Sequence, residues 1–290
     1  MPGIDINRTT ENVINDPEIS REIWTKTQER SFFMAHARRI AIPGNGVSIQ
    51  TLTGDAAADW VAETGKKKID VPTFGKKTII PYKLAVIVPF SMEFMRDKRV
   101  LFDEIIGRLP NAIAKKYDET IMGTTAPGSN FDTLGGATKI SLTPSGEGSV
   151  YDQFIAADAA ISAADGMMNV IGLAPAGKSK VQAATDKMGY PLFTNGVGAT
   201  SLNGILGATV DVNKHLIVDG DPKTVGIAGD FTDAVWGMVE NISLSFSDTA
   251  TLENGDEIIN LWQQNMVAVK AEAELAFAYK DINEFVLFTE

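Results

Sequence analysis

Apolar residues recur at every fourth position through Leu101, Ile105, Leu109, Ile113, Tyr117 and Ile121, with Phe102, Ile106 and Ala112 widening the stripe. That spacing predicts one long amphipathic helix, closed by Gly123. Pro110 falls inside it and is expected to bend it, because proline removes a backbone hydrogen bond and crowds the preceding turn. A different period governs the end of the chain. Val267, Val269, Ala271, Ala273, Leu275, Phe277 and Tyr279 alternate with Lys270, Glu272, Glu274 and Lys280, which predicts a long strand with one buried face although Ala and Glu individually favour helix.

Upstream, Asp16 and Pro17 form a helix opening, and Ile19, Ile23, Trp24 and Thr27 share a face, so Pro17 to about Arg38 is predicted helical until Pro43, Gly44, Asn45 and Gly46 stop it. Such a helix either packs on its own core or lies as an arm on a neighbouring copy. Val47 to Thr53 and Ile79 to Val88 read as strands, the second with Pro81 near its start and Pro89 at its end. Between them Lys66, Lys67, Lys68, Lys76 and Lys77 cluster around Pro72 and Gly75, the composition of a solvated, hairpin-like projection. Ser91 caps a short turn through Glu93 and Phe94 to Asp97, and Thr124 to Gly136 is loop.

A second unit begins near Lys139. Ser149 and Asp152 have capping-box spacing, and Tyr151, Phe154, Ile155 and Ile161 mark the apolar face of a helix ended by Gly166. Met167 to Leu173 reads as a buried strand and Lys178 to Met188 as a helix. Val210 to Val212, Leu216 to Val218 and Val225 to Ala228 read as further strands, which makes this unit mixed α/β; Val235 to Phe246 is extended.

The 290 residues are 44% hydrophobic and 22% charged, enough for a sizeable core. No apolar run is long enough to span a bilayer as a helix, and Met1 to Thr10 lacks the pattern of a signal peptide, so a cytoplasmic site of synthesis is expected. The absence of cysteine excludes disulfides and thiolate chemistry, and two histidines, His36 and His215, far apart in sequence, make a histidine metal site or triad unexpected. A formal charge of -11 argues against tight wrapping of nucleic acid, although an acidic protein can enclose DNA without gripping it. Glu272 and Glu274 share a strand face, but carboxylates flanked by lysines on a solvated face are seldom catalytic. One motif carries chemistry on its own: Gly172 to Ser179, Gly-Leu-Ala-Pro-Ala-Gly-Lys-Ser, matches a phosphate-binding Walker A loop between a predicted strand and helix, with Leu216 to Asp219 as a potential partner strand. The β-rich chain that follows does not fit a P-loop domain.

The stretch Gln50 to Gly123 combines loop, strand and helix that have little to bury unless other copies cover them. Several short sequences place that arrangement. Asp59 to Glu63 (Asp-Trp-Val-Ala-Glu), Lys83 to Ala85 leading through Val88 to Ser91, Glu93 and Phe94, and Asp118 with Gly123 resemble, in order, the extended-loop signature, the following strand and the end of the spine helix in the major capsid proteins of tailed bacteriophages, whose fold is named after phage Hong Kong 97. Pro127, Gly128 and Leu134 to Gly136, then Gly189, Pro191, Leu192 and Phe193, then Gly229 to Phe231, and the apolar strand Phe285 to Thr289 resemble later landmarks.

The resemblance implies an α+β fold of the Hong Kong 97 type: an N-terminal arm (1–46), an extended loop (47–90), a peripheral domain with a spine helix (91–138), an axial domain (139–234) and returning peripheral strands (235–290). It implies a structural, non-enzymatic head protein with no catalytic, cofactor or metal residues. Such a protein self-assembles through hexamers and pentamers into an icosahedral shell around double-stranded DNA, without sequence-specific contact or a membrane. A scaffolding protein and a portal are the expected partners, and the virion capsid, assembled in the host cytoplasm, is the expected location. A separate scaffold is expected because only about fifty residues precede the loop, no covalent cross-link is expected, and the loop lysines are expected to face acidic neighbouring subunits. The alternatives are an encapsulin compartment of the same fold and, in a different class, a P-loop nucleotide hydrolase using Gly172 to Ser179.

Overall fold

The computed structural model describes residues 25–54, 58–61, 63–67, 69, 71, 73–97, 104–143, 149–185, 188, 192–193, 204–239, 242–254 and 257–290. Expectations placed on Pro17 to Trp24, Ala62, Lys68, Pro72, Leu101, Phe102, Gly189 and Pro191 lie outside the described residues.

The alternating segment forms β13 (Met266–Tyr279), and a five-stranded sheet is built on it. β4 (Tyr82–Ser91) runs antiparallel along one side of β13. On the other side lie β10 (Ser243–Ser247) and β9 (Ala234–Met238), one after the other, and β1 (Arg38–Ala41) pairs parallel with β9. Val267, Val269, Ala271, Ala273 and Leu275 are buried, as the period of two predicts. Ala276 and Ala278 are buried as well, because at that end Ile42, Ile79 and Val235 cover the second face.

A second five-stranded sheet has the order β5 (Thr138–Ser141), β14 (Phe285–Thr289), β8 (Thr224–Gly229), β6 (Val170–Leu173) and β7 (Thr209–Val212). β14 does not join the sheet of β13; it pairs parallel with β5 and antiparallel with β8. β4 belongs to the β13 sheet, while β2 (Val47–Gly54) and β3 (Thr73–Ile79) form a separate two-stranded hairpin. Ile79 closes β3, and Pro81 separates it from β4, which continues through Pro89 to Ser91. Val235 to Phe246 is likewise two strands, β9 and β10.

Local signals explain the helices. Residues 25–30 are helical, Ser31 then caps α1 (Phe32–His36) by accepting from the Met34 N–H, and Arg38 is already strand, so the expected helix to Arg38 is interrupted and shorter. Phe32, Phe33 and Met34 sit in the chain's own core, so this part of the expected arm packs at home. After the short α2 (Met92–Asp97), residues 104–106 are helical, 107–108 form a turn, and α3 (Leu109–Met122) starts afresh. Pro110 opens α3 instead of bending a longer helix, since proline is tolerated in a first turn where its N–H is not needed. Leu109, Ile113, Tyr117 and Ile121 face inward, and the Tyr117 hydroxyl donates to the Ala276 carbonyl at 3.1 Å.

α4 (Val150–Ser162) carries the expected Ser149/Asp152 capping box but ends before Gly166, and it buries Phe154, Ala157 and Ile161, leaving Tyr151 and Ile155 exposed. α5 spans Pro175–Ala183, earlier than the expected Lys178 to Met188, and Met167 is exposed ahead of β6. In place of the expected strand at Leu216, Lys214–Leu216 is a 3-10 turn, followed by a single bridge between Val218 and Thr224. One hydrophobic cluster joins both sheets, α1, α3, α4 and α5.

Candidate functional site

The Walker-like motif is not a loop. Gly172 and Leu173 are the last residues of β6, Ala174 is the only connector, and Pro175 begins α5, so no ring of free amides remains to surround a phosphate. The Lys178 N–H donates to Ala174 O at 2.8 Å, and the Ser179 hydroxyl is turned back on Pro175 O at 2.9 Å. The glycines serve packing. A Cβ at Gly172 would lie 2.6 Å from Phe32 Cζ and 2.7 Å from Leu216 Cδ1, and one at Gly177 would lie 2.6 Å from Val225 O. β6 also lies antiparallel to β8, and the proposed partner strand at Leu216 is absent, so the nucleotide-hydrolase reading is corrected. Gly172→Ala is expected to destabilise by about 1–3 kcal/mol through overpacking, whereas Lys178→Ala changes stability by no more than about 0.5 kcal/mol. Urea unfolding of the two variants checks this; a nucleotide site would instead make Lys178 the sensitive residue for ligand binding.

The other sequence candidates separate as well. His36 Nε2 lies 3.1 Å from Asp211, and His215 pairs elsewhere with Asp118. Among the described residues, no group of three or more His, Cys, Asp or Glu side chains is arranged to hold a metal. Glu272 and Glu274 do share the solvated face of β13, where Lys270 stands 3.0 Å from the first and Lys83 3.7 Å from the second.

Two polar junctions were not legible as such. Asp118, on the inner face of α3, is fully buried and accepts from the Ser31 hydroxyl (2.6 Å) and the Phe32 N–H (3.0 Å), and His215 Nδ1 lies 3.2 Å away. His215 Nε2 meets Asn111 Oδ1 at 3.3 Å, and the Asn213 amide reaches Arg30 O at 2.8 Å. Burial pushes the Asp118 carboxyl above its ordinary value, and the bonds from His215, Ser31 and Phe32 act in opposition. This carboxylate thus ties the N-terminal segment, α3 and the turn after β7 at one point.

Asp230 organises the second junction, accepting from the Met167 N–H (3.0 Å), the Asn169 amide (2.8 Å) and both donors of Thr232, while Asn169 Oδ1 accepts from the Phe231 N–H. Burial alone would raise its pKa, but the combined bonds from Thr232, Met167 and Asn169 hold it below the ordinary 3.8. A depressed folded value contributes stability above the unfolded pKa and loses it as pH falls through the folded one. The stability gap between the wild type and Asp230→Asn is therefore expected to narrow as the pH falls through and below the ordinary carboxylate range, as followed by thermal unfolding.

The surface carries large apolar side chains that stay exposed among the described residues. Beyond β2 and β3, Trp60 is fully exposed, and Ile69 and Val71 are 88% and 73% exposed. A second hairpin, β11 (Thr251–Asn254) with β12 (Glu257–Asn260), presents Ile258, and Trp262 follows it, also exposed. Clusters of this kind mark association surfaces. Of the loop lysines, Lys66, Lys67 and Lys76 are exposed. Lys77 is instead committed within the chain: it pairs with Asp132, donates to the Tyr279 carbonyl and lies 4.5 Å from the Tyr279 ring centroid. The Tyr279 hydroxyl is pushed up to about 12 by burial and by the charges of Asp132 and Asp281.

Similarity to known proteins agrees with this picture of a structural surface. The chain is 30% identical to the probable major capsid protein gp17 of Mycobacterium phage D29, over 94% of this chain and 89% of that one. It is 24% identical to the major capsid protein of Staphylococcus phage 80alpha, over 92% and 82% of the two chains. Its fold superposes on a solved chain from Microbacterium phage Oxtober96 with a TM-score of 0.76 at 20% identity, covering 90% and 91%. Residues 12–289 match the phage capsid family, and with nearly the whole chain accounted for, this protein belongs to that family.

Proposed function

We propose that this chain is the repeating structural subunit of a tailed-phage head, closing an icosahedral shell through hexamers and pentamers around double-stranded DNA. The observation that carries the reading is the segment between β2 and β3, whose Trp60 and Ile69 stay exposed with no cover among the described residues. Leaving several large apolar side chains in water costs on the order of 1.5–3 kcal/mol each relative to burial, a cost removed when copies overlap. The sheet around β13 with α3 forms the peripheral part, and the sheet around β8 and β14 with α4 and α5 forms the axial part. The exposed Lys66, Lys67 and Lys76 face acidic surfaces of adjacent subunits, consistent with a chain of net charge -11. A separate scaffolding protein and a portal complete assembly in the host cytoplasm. The chain works without catalysis, and its shell encloses DNA without reading sequence.

Negative-stain electron microscopy of the expressed protein, alone and with the scaffolding protein of the same phage, tests this. Closed shells, tubes or rings of five and six are expected. Small particles under both conditions would overturn it.

A further inference from the structure

Among the described residues β4 pairs only with β13, along Tyr82–Ser91, and no strand lies on its other side. The direction of its backbone groups follows from the register. In an antiparallel pair, the N–H and C=O of one residue point to the same side, and successive residues alternate. The Met92 N–H bonds Asn265 O at 2.9 Å, in line with the β4–β13 register, so even-numbered residues face β13. Odd-numbered residues therefore aim outward: the N–H groups of Lys83, Ala85 and Ile87, and their carbonyls together with that of Pro89. Pro89 fits this assignment, since proline within a strand belongs where its missing N–H would face an open edge.

The side chains show the same incompleteness. Tyr82, Leu84, Val86 and Val88 point to the core, yet all are only partly buried, while their neighbours Val269, Ala271, Ala273 and Leu275 on β13 are closed off. On the opposite face Ile87 is 47% exposed. A long edge, unpaired among the described residues and with apolar residues on both faces, is a template for another strand. Lys83 and Pro89, placed towards its two ends, restrict which strand can pair and where the ladder stops.

We propose that this edge is completed by an extended segment of a second copy of this chain, which hydrogen-bonds to the outward groups of Lys83, Ala85, Ile87 and Pro89 and covers Leu84, Val86 and Val88. A second copy is the occupant because a shell holds many copies at close quarters, each with the same open edge, and because the ladder asks only for main chain. The inference rests on the shell reading above.

The test compares hydrogen exchange in unassembled protein and in purified shells, together with the variant Ala85→Pro. Because the Ala85 N–H bonds to nothing among the described residues, Ala85→Pro is expected to keep the wild-type unfolding midpoint, in line with Pro89 at an equivalent position of the same strand. Val86→Pro, which breaks the pairing with β13, unfolds the chain and serves as the control. Outward amides of Lys83, Ala85 and Ile87 are expected to exchange at least about tenfold more slowly in shells, and Ala85→Pro is expected to lower shell yield about tenfold or more. Fast exchange in intact shells, a wild-type yield from Ala85→Pro, or protection that appears only when a different protein is bound each overturns the proposal. Failure to form any shell under the conditions tested above counts against the shell reading itself.

Discussion

Asp118→Ala lowers the unfolding free energy by about 3–5 kcal/mol, the cost of leaving several buried donors without their shared acceptor. The substitution leaves the Ser31 hydroxyl, the Phe32 N–H and His215 Nδ1 inside the protein without their acceptor. Each orphaned donor costs about 1–3 kcal/mol, so the total reaches the upper part of that range only if the site cannot admit water. Asp118→Asn keeps one acceptor oxygen, which can serve Phe32 and His215 in the place of Oδ2 or Ser31 in the place of Oδ1 but not all three, and is expected to lose roughly half as much. Urea unfolding of the unassembled chain measures both. Equal, small losses would mean that Asp118 does not hold the N-terminal segment to α3. The effect should also be local in origin: proteolysis should begin ahead of Phe32 in Asp118→Ala, because that segment loses its attachment first.

The double variant Trp60→Ser with Ile69→Ser leaves the unfolding midpoint of the single chain unchanged and reduces shell formation by at least about a hundredfold. Both side chains are almost wholly in water in the chain alone, so nothing of its own core is lost. Large aromatic and aliphatic anchors, once covered, carry about 2 kcal/mol or more each in an interface. Icosahedral symmetry repeats each loss at every equivalent contact. Electron microscopy and sedimentation of matched preparations read the outcome. Shells at wild-type yield would show that the projection is not a contact.

Features set by neighbouring residues were legible in the sequence. The Ser149/Asp152 box holds because its partners are three residues apart and need no tertiary context. The alternation in β13 holds because one buried face imposes a period of two on any strand, and Gly123 ends α3 as expected. Pro110 was misplaced for a definite reason: an apolar stripe continues across a break in a helix, so periodicity cannot distinguish a bent helix from one that starts again at proline. In α4 the choice between Ile155 and Ala157 as the inward residue depended on where β5 and β14 lie, which no local pattern encodes.

The Walker-like match shows the same limit in the chemistry. A string of Gly, Ala and Lys-Ser is compatible with a phosphate loop or with glycines demanded by close packing, and the decision rested with Phe32, Leu216 and Val225, contributed by distant parts of the chain. Lys77 appeared equivalent to Lys66, Lys67 and Lys76 until the fold brought Asp132 and Tyr279 to it. The sequence by itself determined most of the elements and the lysine-rich surface, because these follow from local period, caps and turn residues, and its short motifs carried the resemblance that implies the class of the fold. Only the tertiary structure decided which sheet each strand joins, how Asp118 and Asp230 bind their partners and which apolar groups stay exposed, because each of these depends on contacts between residues far apart along the chain.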